Sequence, residues 1–379
     1  MRKLLGKIAD YIRETDKLLL SLCIFASLYG CLLVLSTTHY TGSARQFFVQ
    51  LAAMCIGVFA AVVISSFDYA NILKIWPVIA GGAVLLVVLT FFIGYAPEGT
   101  DDKAWLHLPG GMSLQPAELL KIAFIITFAK HVSLIEHEVS RLRNVLLLCV
   151  HGAAPVLLIH FQGDDGTALV LAIIFVAMLF AAGVKLRYFA IAGGACAVLS
   201  PVFWFVVLND DQRNRIIHLF NPESDLLGQG WQQWRARIAL ANGGFFGRGL
   251  FHGENVQGNL VPEGHNDFIF ASAGEELGLL GLLVIMILLA AICIRILRVA
   301  HLAKDKSGLI ICTGVFAMLA AQSVLNIGMC VSILPVIGIT LPFFSAGGTS
   351  LVCLYLGIGL VLSVFMHRNQ RIVYLNEAL

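Results

Sequence analysis

Ten apolar runs of membrane-spanning length leave this 379-residue chain few folds to choose from. They lie at about 18–36, 47–65, 73–94, 117–134, 145–161, 167–183, 187–207, 267–295, 308–330 and 349–366. A helix needs roughly 20 apolar residues to cross a hydrocarbon core of about 30 Å. Within that core only helices and closed barrels satisfy their own backbone hydrogen bonds, and runs this long read as helices. The fold expected is therefore an all-α polytopic membrane protein of about ten transmembrane helices, a single integral membrane domain over residues 1–379. Charged residues make up 13% of the chain and mean hydropathy is +0.87. A soluble domain carries about 25% charged residues, so that class is excluded.

Orientation follows from the Lys and Arg count. With both termini cytoplasmic, seventeen of the 25 lie on the inner side and only three (Arg45, Lys103 and Lys121) on short outer segments. The remaining five sit in one long extracellular loop, about 208–266, between spans seven and eight. Residues 1–17 read as an amphipathic cytoplasmic lead-in, with Leu4, Ile8, Tyr11 and Ile12 at helical spacing and Arg2, Lys3, Lys7 and Arg13 elsewhere on the circumference. Inside the long loop, Trp231, Trp234 and Ile238 share one helical face suited to a membrane interface. The nine cysteines have no CxxC or ligand-like spacing and read as small core residues. Nothing in the chain suggests nucleic acid as a partner.

Four stretches hold residue types that do chemistry. Asp267 stands where the long loop enters span eight, in VPEGHNDFIF. A carboxylate at that depth is costly unless paired, hydrated or used. His265 and Asp267 could help deprotonate a hydroxyl, and a helix cap by Asn266 or Asp267 explains the pattern equally well. Glu275, eight residues after Asp267, is expected on the same helix face. At the start of span four, Trp105 precedes Gln115-Pro116-Ala117-Glu118-Leu119-Leu120-Lys121. Glu118 and Lys121 share one face, either as a packing ion pair or as the polar wall of a cavity that receives an anionic substrate. Gln162-Gly163-Asp164-Asp165-Gly166-Thr167 reads as a tight outer turn, with Thr167 as cap and Asp164 as turn-former. Finally, Asn326-Ile327-Gly328-Met329 precedes a proline-broken outer re-entrant segment, 331–348. Its Gly347 and Gly348 amides are expected to be exposed and able to meet an anion such as pyrophosphate.

Taken together and in order, a Trp followed by QPxELxK, the QxDxGT turn, PExHxDFIF with EELG, and NxGM with LPxxGxxLPFxSxGG resemble the SEDS family of RodA/FtsW-type proteins. The resemblance runs from about Asp16 to Arg368 and is nearer the RodA branch, which implies a role in cell elongation and shape; an FtsW-type division role is the branch alternative. It implies a bacterial cytoplasmic-membrane enzyme, an inverting peptidoglycan glycosyltransferase that polymerises lipid II at the outer face and releases undecaprenyl pyrophosphate. It also implies a class B penicillin-binding protein (a transpeptidase) and the elongation machinery as partners, beside membrane lipids.

On that resemblance Asp267 is the catalytic acidic residue. Trp105, Gln115, Glu118, Lys121, His265, Ser345, Gly347 and Gly348 are expected at the substrate, with Arg213, Arg215 and Arg248 balancing pyrophosphate charge. A divalent cation (Mg2+ or Mn2+) could assist, although no ligand cluster is visible. Four positions depart from the family pattern: Ala346 replaces a usual Tyr, Gly163 and Asp165 replace a Pro and an apolar residue, and Ala104 replaces an Arg. Two other classes remain open, a lipid II flippase and a non-catalytic scaffold of the cell-wall machinery. The gathering of polar residues in the outer half of the spans favours the enzyme.

Overall fold

The computed structural model describes residues 11, 13–96, 103–108, 112–208, 210–220 and 229–369. Most of the lead-in and the loop residues 221–228 therefore lie outside the described residues, as does Arg371. Nine helices among the described residues are long and apolar enough to cross a membrane. They are α1 (Lys17–Thr37), α2 (Arg45–Ser65), α3 (Tyr69–Ile93), α5 (Leu142–His160), α6 (Asp165–Ala182), α7 (Leu186–Val206), α11 (Ile269–His301), α12 (Lys306–Cys330) and α13 (Gly348–Met366). The expected fourth span is also a helix, α4 (Pro116–Leu134), but it carries Glu118, Lys121 and Lys130 and is therefore less apolar than the rest. Between α7 and α11 run α8 (Asp210–Phe220), α9 (Gln229–Gly243) and the single turn α10 (Glu254–Gln257).

Lipid tails are as apolar as leucine, so helices in a bilayer associate through close packing and polar ties rather than through a hydrophobic driving force. The packing order reflects this. α4, α12 and α13 form the centre, α13 lies along α2, α12 along α4 and α6, and α11 along α12 and α1. No residue of α7 between Leu186 and Val202 is buried. Polar ties hold the end of the bundle at which α1 begins. Asp16 caps α1 through the Leu19 N–H and pairs with the Arg295 guanidinium at 2.7 Å, and Lys304 reaches Asp68 at 3.2 Å.

Two features depart from the sequence expectation. First, α11 is a discontinuous helix. Gly278 adopts φ +64°, ψ −165° within it, a conformation essentially confined to glycine. The carbonyls and amides freed there are taken up by the loop after α9. Arg248 N–H donates to Glu275 O at 2.9 Å and Gly249 N–H to Glu276 O at 2.8 Å, while Leu279 N–H donates to Gly244 O at 3.0 Å. Irregular backbone inside a bundle requires such partners.

Second, Glu275 does not share a face with Asp267. It is fully buried, and its two oxygens accept the N–H groups of Asn255 and Val256 at 3.0 and 2.9 Å, which holds α10. Glu276 accepts from Ser36 and Gln257. Both acids serve to fasten the outer loop. α9 presents Gln233, Ala236 and Ala239 to the protein, whereas Trp231 is exposed and Trp234 half-buried.

Candidate active site

Asp267 lies outside the helix that the sequence assigned it to. α11 begins at Ile269, its N-cap position is Phe268 with no side-chain cap bond, and residues 262–268 form consecutive turns. The cap reading of Asn266 or Asp267 is thereby overturned: Asn266 Nδ2 donates to Glu263 Oε2 at 2.8 Å instead. The Asp267 backbone is clamped from α12, where Asn326 Nδ2 donates to Asp267 O at 2.8 Å and to Ile339 O at 2.6 Å. One amide therefore ties the turn to the broken segment 331–347.

Further ties align the same two stretches. Ser345 Oγ donates to Asn266 O at 2.7 Å, and Ala346 N–H donates to His265 O at 2.8 Å. Gln50 of α2 closes the arrangement, donating to Ser345 O at 2.8 Å and accepting the Gly347 N–H at 3.1 Å. The Gly347 amide is thus engaged rather than exposed. Gly348 is the first residue of α13, packed over Val49 and Ala53 of α2. Ser345 likewise spends its hydroxyl on backbone, since Leu341 N–H donates to it at 2.7 Å.

The Asp267 carboxylate comes to rest over Gly338, where a Cβ would stand 3.7 Å from Oδ2 and φ is +64°. Opposite is the 163–167 turn. Asp164, not Thr167, caps α6: its Oδ1 accepts the Thr167 N–H at 2.8 Å and its Oδ2 accepts Gln115 Nε2 at 2.9 Å. Gly166 packs directly against the Ile337 carbonyl, so a side chain there would push this turn off the broken segment. One helical turn into α4, Glu118 and Lys121 form a buried ion pair at 2.8 Å. Their charges reach Asp164, Lys121 favouring its ionised form and Glu118 opposing it. Gln115, Glu118, Lys121, Asp164 and Asp267 thus belong to one polar region at one end of the bundle.

The electrostatics single out Asp267. Burial of its carboxylate, with Glu263 and Asp164 adding negative charge, pushes its pKa up to about 7. Burial also raises Asp164, against the lowering effect of its bonds to Thr167. His265 is lowered by burial, with Glu263 working the other way, which favours the neutral imidazole. A carboxylate that titrates near neutrality is suited to accept a proton and release it again.

Two of the arginines named from the sequence are engaged with other partners. Arg213 binds the carbonyls of Trp204 and Phe205 at 2.8 and 3.1 Å and pairs with Asp210. Arg248 is exposed and donates to Asn242 O at 3.0 Å. Arg215 lies on α8, and its side chain is outside the described residues. Trp105 is half-buried and pairs its backbone with Tyr95 beside a two-stranded hairpin, β1 (Leu106–Leu108) and β2 (Met112–Leu114). The hairpin is fastened to α13 by Thr349 Oγ1 donating to Ser113 O at 2.8 Å. Gln50, Asp164 and Asn326 were given no site role from sequence. A lone amide within an apolar run was the available signal for Gln50 and Asn326. Among the described residues no group of three or more His, Cys, Asp or Glu could hold a metal ion.

The FtsW/RodA/SpoVE family, described as cell cycle proteins, matches residues 16–370. The chain belongs to this family. The peptidoglycan glycosyltransferase MrdB of Escherichia coli K12 is 36% identical over 287 residues, 76% of each chain. The probable peptidoglycan glycosyltransferase FtsW of Geobacter sulfurreducens is 32% identical over 370 residues, 95% of this chain and 97% of its own. A solved peptidoglycan synthase complex, described as coordinating polymerisation and crosslinking, contains a chain of the same fold. It has a TM-score of 0.81 and 26% identity, and the match covers 94% of this chain and 99% of that one. The crystal structure of the rod shape determining protein RodA of Thermus thermophilus shares the fold at a TM-score of 0.69, covering 94% and 98%.

Proposed function

We propose that this family member is an inverting peptidoglycan glycosyltransferase that joins lipid II units at the outer face of a bacterial cytoplasmic membrane, in cell elongation and shape maintenance. The observation that carries the reading is the Asp267 carboxylate, fixed by its own backbone, facing Gly338 and titrating near 7. Asp267 accepts the proton of the acceptor's GlcNAc 4-hydroxyl as that oxygen attacks C1 of the donor MurNAc. The C1–O bond to pyrophosphate breaks, configuration at C1 inverts, and undecaprenyl pyrophosphate departs. A carboxylate raised toward neutrality can take up the proton and release it again, and such a base contributes typically about 10²–10⁴-fold.

Lys121 is the cation within the polar region among the residues named, and its charge offsets that of the leaving pyrophosphate. A Mg2+ or Mn2+ ion is compatible with the two carboxylates Asp164 and Asp267, since Mg2+ sites commonly combine one or two carboxylates with substrate phosphates and water. When bound it would supply charge neutralisation at the pyrophosphate. In this reading both termini are cytoplasmic, and the 208–266 loop and the site face outward. A class B penicillin-binding protein is the partner, in keeping with the synthase complex whose chain this one resembles.

The test is lipid II polymerisation by the purified chain with its cognate transpeptidase, wild type beside Asp267→Ala, with folding and complex formation checked for both. Glycan ladders that vanish in the variant support the reading. Ladders that persist would make Asp267 a packing residue. A silent wild type would turn attention to lipid II translocation.

A further inference from the structure

A cavity of about 200 Å³ opens behind the 261–265 turn, and of the residues that act on the Asp267 carboxylate only Glu263 lines it. Thr37 and Tyr40 at the end of α1 form one side, and Asn259, Glu263, His265 and Ser272 the other. It is smaller than the roughly 300–1,000 Å³ of clefts that take drug-sized ligands. A single ring fits, and a whole disaccharide-peptide does not.

Its chemistry restricts the ring. Glu263 brings a carboxylate, Asn259 an amide, Tyr40 a half-exposed phenol and His265 an imidazole. The lining holds one acidic residue, Glu263, and no Lys or Arg. Such a wall repels phosphate and admits a neutral molecule with many hydroxyl and amide groups. The two residues with the most extensible polar groups, Asn259 and Glu263, are held at φ +52° and +44°. Non-glycine residues enter that region rarely, and when they do the surrounding structure has fixed them there. The cavity adjoins the site through His265, two residues from Asp267.

We propose that this pocket binds one N-acetylated sugar ring of the glycan strand, and so holds the polymer while the next unit is added. This rests on the glycosyltransferase reading for the identity of the strand, but not for the binding of the ring.

The experiment uses the full chain with its transpeptidase, wild type beside Tyr40→Ala and Asn259→Gly, the glycine preserving the left-handed backbone. Binding of a soluble GlcNAc oligomer is measured by saturation-transfer NMR, and glycan length is read from lipid II polymerisation in the same preparations. The expected result is oligomer binding by wild type that weakens at least several-fold in both variants, with shorter glycans at comparable consumption of lipid II. Binding that weakens in the variants while wild type makes no polymer would uphold the pocket and strike the glycosyltransferase reading alone. No oligomer binding by wild type, or equal binding by all three proteins, overturns the proposal.

Discussion

Asn326 on α12 holds Asp267 in place without touching its carboxylate: its side-chain amide donates to the Asp267 backbone carbonyl at 2.8 Å. The same nitrogen reaches Ile339 O at 2.6 Å, so the Asp267 backbone and the broken segment share one anchor. A base whose position is set by its backbone keeps its carboxylate free for a proton. This separates positioning from chemistry.

Asn326→Ala leaves two largely buried carbonyls without their donor, a loss of about 1–3 kcal/mol. We expect a lower thermal unfolding midpoint in detergent and a fall in kcat greater than any change in KM. An unchanged kcat in a folded variant would show that the anchor is dispensable for the reaction.

The pH dependence of polymerisation follows from the raised pKa of Asp267. The base works ionised, so the rate should climb with rising pH through about 7 and then level. Because Glu263 adds to that rise, Glu263→Gln should move the acid limb to lower pH. A limb that stays in place would remove Glu263 from the electrostatics of the site.

Lys121 and Glu118 make a testable pair. Removing one partner of a buried ion pair costs typically about 3–5 kcal/mol, because the other charge is left uncompensated. Lys121→Met should therefore destabilise strongly, and Lys121→Met with Glu118→Gln should recover much of the loss. If Lys121 serves the pyrophosphate, activity stays low in the recovered double variant. Recovery of activity together with stability would reduce the pair to packing.

Gly278→Ala tests the break in α11. A non-glycine residue at φ +64°, ψ −165° costs about 1–3 kcal/mol, and an added Cβ would meet the backbone of Gly247 and Phe245. The expected outcome is faster proteolysis within 243–260 together with a lower unfolding midpoint. Unaltered proteolysis would mean that the outer loop does not depend on this break.

Much of the architecture was legible because membrane spans obey a local rule. Pro116 marked the start of α4, and the apolar stretches from Lys17 to Thr37 and from Gly348 to Met366 declared themselves by length and composition alone. The site was legible in part. Asp267, Glu118, Lys121 and Gln115 stood out as polar groups at costly places, and the structure puts them in one region. Glu275 and Glu276 carried the same local signal, and local pattern could not show that Asn255, Val256, Gln257 and Ser36 would use up their oxygens. Nor could it show that Gly347 would give its amide to Gln50, nearly 300 positions away.

The sequence by itself determined the solvent this chain folds in, the number and order of its membrane spans to within one among the described residues, and the stretches where polar groups stand at costly places. Each is set by the hydropathy of a continuous run, which needs no distant partner. Only the tertiary structure decided that α11 breaks at Gly278, that Asp267 stands before the helix rather than in it, that Asn326 clamps its backbone and Asp164 acts on its carboxylate, and that Gln50 ties down the neighbouring 345–347 stretch. Those outcomes depend on which backbone groups are left unsatisfied once the helices have packed, and on which side chain, far along the chain, arrives to satisfy them.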